Sequence, residues 1–275
     1  MLNRKNTKTS TVIKLVSAIA ISWLIVQVTY GQSEDYLASK TATGNPDLNG
    51  IWQALGSAHF DIEGHAARPS PIVTTGALGA VPAGLSVVIG GKIPYKDWAR
   101  EQQQENLNHS VNLDPAVKCY MPGIPRATYM PFPFQIVQTA AHILIAYEFA
   151  GASRIIYMDQ PEFEAPVDAW MGHSTGRWEG ETLIVSVTSQ VADTWLDRSG
   201  NFHTNAMLVE ERYTPISPNH LIYEATIEDP NIYTRPWTIR LPLYRRLENN
   251  MQLLEFKCVE FVEELLYGHL RKNSE

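Results

Sequence analysis

Basic residues are in short supply and do not cluster. The 275-residue chain carries 22 Lys and Arg against 29 Asp and Glu, a formal charge of −7. Nucleic-acid binding needs a basic footprint, so that class is excluded. Beyond the N-terminal region, no apolar run approaches the roughly 18–20 residues a membrane span needs. Recognisable chemistry motifs are missing too. There is no HExxH, no paired CxxC, no EF-hand loop, no P-loop, no Rossmann glycine fingerprint and no GxSxG elbow. Gly172-His173-Ser174-Thr175-Gly176 puts histidine second after glycine, and no parallel α/β pattern surrounds it. No metal and no cofactor is expected. Cysteine is limited to Cys119 and Cys258.

What is present begins with a leader. Arg4, Lys5, Lys8 and Lys14 precede an apolar stretch from Leu15 to Val28, and Thr29-Tyr30-Gly31 offers small residues at −3 and −1. This reads as a signal peptide over 1–31 with cleavage near Gly31, and hence as an exported protein, periplasmic or secreted. No cysteine stands directly after it, so a lipoprotein anchor is unsupported. The mature chain loses four bases and becomes more acidic still. In an oxidising compartment Cys119 and Cys258 are expected to pair. Such a bridge would tie the middle of the chain to its end, for about 4–5 kcal/mol in the chain-entropy model. A catalytic thiol is the rival reading.

The mature segment, 32–275, reads as a single domain. Residues 32–45 are polar and read as a flexible arm, and Ile51-Trp52 opens a possible strand. Residues 64–94 are rich in Gly, Ala and Pro and read as a long surface loop. A helix is predicted near Tyr95–Leu107, with Pro94 in its first turn. Pro115, Pro122, Pro125, Pro131 and Pro133 are expected to forbid regular helix and central strand over 111–133. Strands are then predicted at 134–139, 142–149, 154–159, 177–178, 182–188, 206–213, 221–228, 237–241 and 252–258. In 220–228, Leu221, Tyr223, Ala225 and Ile227 share a face opposite Glu224, Thr226 and Glu228. Such alternation means antiparallel strands with one wet face, and Glu179-Gly180 suits a hairpin turn. A chain 44% hydrophobic and 10% aromatic can fill a sizeable core. The fold class is therefore all-β, mainly antiparallel, as a closed meander or a sandwich.

Pro46-Asp47-Leu48-Asn49-Gly50-Ile51-Trp52 resembles the "PDLxGxW" opening of a group of exported bacterial proteins. The stretch Trp170-Met171-Gly172-His173-Ser174-Thr175-Gly176-Arg177-Trp178-Glu179-Gly180-Glu181-Thr182-Leu183-Ile184-Val185 is similar to that group's most specific segment. Thr194-Trp195-Leu196-Asp197, His203-Thr204, Glu211-Arg212-Tyr213 and Asp229-Pro230 through Thr238 extend the likeness. It implies a lipocalin-like or calycin-like β-barrel and leaves the activity open.

A barrel of about eight strands can hold one small ligand or fill itself. Trp170, Trp178, Trp195, Tyr147 and Tyr129 are candidate ligand contacts, with core packing as the alternative for each. His173, in a Gly-His-Ser turn, is a candidate acid or base; otherwise it bonds a backbone carbonyl. Asp197 and His203 form a candidate proton-transfer unit; otherwise Asp197 closes a turn and the histidine is solvated. Glu148 ends an apolar strand row and becomes a usable acid if that row faces the lumen. Otherwise Arg154 neutralises it, and Glu211-Arg212 invites a similar ion-pair reading. The first functional expectation is a cofactor-independent cyclase, isomerase or lyase acting on a hydrophobic or aromatic metabolite, since these reactions need only proton transfers in a dry pocket. The alternative is a carrier for a hydrophobic small molecule. An accessory structural protein with a filled core is a third.

Overall fold

The computed structural model describes residues 36–70, 76–77, 79–161 and 165–260, with single positions at 262, 265 and 269. The expected signal peptide, 1–31, lies outside them. Nine strands form a closed barrel in chain order: β1 (Gly50–Ala54), β2 (Phe134–Gln138), β3 (His142–Tyr147), β4 (Ser153–Met158), β5 (His173–Glu179), β6 (Thr182–Thr188), β7 (Leu208–Ser217), β8 (His220–Glu228) and β9 (Trp237–Arg245). Three helices complete the elements used below: α1 (Asp97–Asn108), α2 (Ser110–Leu113) and α3 (Arg126–Tyr129), the last a single turn starting after Pro125 inside the segment where no helix was expected.

Alternation decides which way each strand faces. On β8, Leu221, Tyr223, Ala225 and Ile227 are buried, while the residues between them meet solvent. β9 buries Trp237, Ile239, Leu241 and Leu243 in the same rhythm. Glu179 pairs with Thr182 across a hairpin in which Gly180 takes a φ of 59°, a left-handed conformation that glycine reaches at little cost. Closure comes from β1, which pairs with β2 on one side and β9 on the other. Trp52 thus faces Phe134 in one register and Arg245 in the other.

The lumen is filled by the protein's own side chains. Trp52, Phe134, Ile136, Ile143, Ile145, Tyr147, Ile156, Leu183, Val185, Tyr213 and Tyr223 belong to one core cluster. Burying an aliphatic or phenyl side chain of this size stabilises by about 1.5–3 kcal/mol each. An ion pair lies among them. Arg154 on β4 meets Glu211 on β7 through two bonds of 2.6 and 3.0 Å, and both side chains are almost wholly buried. The hydroxyls of Tyr213 and Tyr223 donate to Glu211 at 2.9 and 2.8 Å. Burial first, then the Glu211 charge, pushes both phenols up, so they stay protonated donors.

Several expectations need correcting. Arg154 pairs with Glu211, not Glu148. Strand parity points Ile143, Ile145 and Tyr147 inward, so the Leu144–Ala146–Glu148 row does not face the lumen. Arg212, on the outer face of β7, pairs with Glu179 and Glu210. β4 and β5 run parallel. Residues 252–258 form no strand, because β9 already closes the barrel onto β1. Instead Cys258 is bonded to Cys119, with Cα atoms 5.7 Å apart, and Phe256 packs against Phe132 and Phe149. The described part of the arm is pinned. Lys40 bridges Pro46 and pairs with Glu181, and the Ala38 amide bonds Glu181. The helix begins at Asp97, so Pro94 lies before it.

Candidate functional site

The register places one set of connections at one end of the barrel. β1, β6 and β8 end there, and β2, β5, β7 and β9 begin there. Residues 55–133, 189–207 and 229–236 connect those strand ends. They lack ladder partners for most of their backbone, so side chains must supply hydrogen bonds.

Asp197 is the hub. Its carboxylate accepts N–H bonds from Ile62 (2.9 Å), Ser199 (2.9 Å), the Asn201 backbone (3.2 Å) and the Asn201 amide (2.6 Å). Burial, then repulsion from Asp61, outweighs these donors and pushes its carboxyl up to about 7. α1 serves the same loop. Gln103 and Asn106, on its buried face with Ala99, donate to the carbonyls of Ser199 and Gly200 at 2.6 and 3.2 Å. The 99, 103, 106 spacing is one helical stripe, polar here because it faces backbone. Gly200 takes a φ of +79°, and a Cβ there would lie 2.5 Å from that of Asn106. Tyr129 donates to the Leu196 carbonyl at 2.7 Å, and Tyr233 to that of Phe202 at 2.7 Å. Arg126 and Asp114 form a second buried bidentate pair at 2.8 Å. At the barrel's edge Glu63 accepts from the Ile93 amide and from Arg100. Burial opposes its charge, but Arg100 and Ile93 hold its carboxyl below the usual range.

The residues singled out from the sequence do not converge. His203 is buried, with Nδ1 2.9 Å from the Thr204 carbonyl and Nε2 2.6 Å from the Thr194 hydroxyl. A carbonyl only accepts, so Nδ1 carries the proton and Nε2 accepts. Burial pushes the imidazole pKa down. His203 and Asp197 share no hydrogen bond; Asp197 closes a turn onto Ser199 and Asn201. His173 opens β5 and stacks on Tyr157 of β4, ring centroids 5.4 Å apart. Half-buried Glu148 accepts from the Leu254 amide at 2.8 Å. Among the five aromatics, Tyr147 is in the lumen core, Trp178 packs against it, Trp170 lies tilted against Tyr120, and Trp195 is buried beside Phe202. Gln190, Asn201, Asp114 and Arg126 escaped the sequence reading. The Asp-x-Ser-x-Asn spacing at 197–201 was the available signal for one of them.

Several cavities open among these loops, and two of them bear on the site. One, of about 410 Å³, lies between Phe60, Arg68 and Val81 on one side and Leu107, Val111 and Arg198 on the other. Arg68 is already committed to the Ser199 hydroxyl at 2.6 Å. The other is a groove of about 560 Å³ on the barrel rim, lined by Ala54, Leu55, Ala58, Leu85, Tyr129 and Leu241 among others. Tyr129 alone of the nominated residues lines either one. Among the described residues no three of His, Cys, Asp and Glu are placed to share a metal ion, and no helix is long and apolar enough to cross a membrane. No family model matches the chain, and no curated protein matches it.

Proposed function

We propose that this is an exported barrel protein that binds an apolar small molecule in the rim groove, outside the lumen. One observation carries the reading: the groove is apolar and its lips are wet. Leu55 and Leu85 line it with 64% and 92% of their surface exposed. Single exposed leucines are ordinary, but two on the lips of one concavity favour an apolar guest. A volume of about 560 Å³ lies in the range of small-molecule sites. The filled lumen leaves the rim as the place for that guest. The leader over 1–31, the disulfide and the resemblance to exported proteins support a setting outside the cytoplasm. Carriage or sequestration needs only the groove and none of the four residues first read as acids and bases.

Fluorescence titration with 1-anilinonaphthalene-8-sulfonate tests it. Saturable one-to-one binding is expected in the wild type. Leu85→Asp should weaken it roughly 10-fold or more, the worth of one lost apolar contact, with an unchanged melting temperature because the side chain is exposed. Equal affinity in both proteins would move the guest elsewhere.

A further inference from the structure

The edge of the groove also holds an arrangement that a carrier does not need. His65 Nδ1 lies 2.9 Å from the Glu63 carbonyl, which fixes the proton on Nδ1 and leaves a lone pair on Nε2. That Nε2 is buried and has no hydrogen-bond partner among the described residues. The Asp61 carboxylate lies 4.0 Å from Nδ1, and the His65 side chain is 7% exposed. Ser57 lines the groove. A Cβ placed on Gly84 would lie 2.1 Å from Ser57 Oγ, 2.5 Å from His65 Cε1 and 2.9 Å from His65 Nε2. The hydroxyl and the Cε1–Nε2 edge of the imidazole therefore border the one spot that glycine keeps empty. Both partners are held by backbone. His65 and Gly84 exchange two bonds of 3.0 Å, and the Ser57 carbonyl accepts from the amides of Phe60 and Asp61. A nucleophile and a base not yet in contact, with the base oriented from behind, is a common geometry before substrate binds.

We infer that Ser57 and His65 form a nucleophile–base pair that hydrolyses an apolar ester held in the groove; this rests on the groove being the binding site. Ser57 Oγ attacks the carbonyl carbon while His65 Nε2 takes its proton. The ester C–O bond breaks, and the leaving alkoxide receives that proton from His65 as the alcohol. Water then adds to the acyl-serine with His65 again as base, releasing the carboxylic acid and restoring the Ser57 hydroxyl. Asp61 faces the imidazolium formed in each half.

The test combines diisopropyl fluorophosphate with p-nitrophenyl butyrate. The wild type should acquire a phosphoryl adduct on the Ser57 peptide, with fluoride lost from phosphorus. It should hydrolyse the ester, and Ser57→Ala should do neither. His65→Gln should label and turn over at least 100-fold more slowly, the usual worth of a general base. Gly84→Ala keeps both reactive groups but puts a methyl between them, and should slow labelling comparably; near-UV circular dichroism confirms its fold. Unlabelled Ser57 in wild-type protein that binds 1-anilinonaphthalene-8-sulfonate would overturn the acyl-transfer inference and leave the groove reading standing. Labelled Ser57 in protein that does not bind the dye would do the opposite. Ester hydrolysis unchanged by Ser57→Ala would also overturn the inference.

Discussion

The barrel lumen and the loop cap at its end both bury charge, but they use it differently. In the lumen, side chains satisfy side chains: Arg154, Glu211, Tyr213 and Tyr223 close a network that reaches from β4 to β7 and β8. In the cap, side chains satisfy backbone. Asp197, Gln103, Asn106 and Tyr129 supply bonds that strands would obtain from a ladder. The lesson concerns where a ligand can go. A sheet pairs its own backbone, which frees its inward side chains to fill the lumen. Loops spend side chains on their backbone and pack less evenly, and cavities open among them.

The largest expected effect would break this contrast from the lumen side. Glu211→Ala leaves Arg154 charged, buried and unpaired, which costs about 3–5 kcal/mol. Urea unfolding should show the loss as a shifted midpoint with the same slope. The double variant Arg154→Met, Glu211→Leu should recover most of it, because a packed apolar pair of similar volume is often no worse than a buried ion pair. A double variant as unstable as the single one would mean the network contributes more than charge balance.

A smaller effect is expected from the cap. Asp197→Ala orphans several buried N–H groups at once, and some will reach water as the loop relaxes. A loss of about 1–3 kcal/mol follows from unsatisfied buried donors. It should fall on local opening, so hydrogen exchange should speed at Ser199 and Asn201 while β7 and β8 stay protected. Uniform acceleration across the barrel would show that cap and lumen unfold together.

The same contrast explains what could be read from the sequence. Strands follow from a period of two, and Leu221–Ile227 or Trp237–Leu243 announce their own faces. The turn at Gly180 and the helix after Pro94 are equally local. Arg154's partner was legible in principle, since Glu211 sits between Val209 and Tyr213 in an inward row. The tempting neighbour was Glu148, close in sequence but of the wrong parity. Residues 252–258 carry a strand-like composition, and only the closure of β9 onto β1 denies them a partner. The cap could not be read, because Asp197 meets Ile62 across 135 residues and Gln190 meets Ile124 across 66. Nor do Ser57, His65 and Gly84 have a local signature; the long loop brings them together by folding back on itself.

The smallest effect is the net pH slope of the wild type, where two larger slopes nearly cancel. Burial, then the charges of Arg198 and Arg126, pushes His59 from 6.5 down to about 4. Asp197 moves the other way, from 3.8 up to about 7. Between about pH 4 and 6.5 the unfolded chain protonates His59 and the folded one does not, so this group's contribution is lost as pH falls. In the same window folded Asp197 holds a proton that the unfolded chain has released, so its contribution is lost as pH rises. The two slopes oppose. Asp197→Asn removes one of them, and its stability relative to wild type should climb with pH by up to about 1.4 kcal/mol per unit. His59→Gln should fall by a similar slope relative to wild type. Denaturant titrations at half-unit steps would show both. Asp197→Asn and wild-type curves that run parallel across this window would mean that the N–H donors around Asp197 keep it ionised, leaving the cap's charge as firmly fixed as the lumen's.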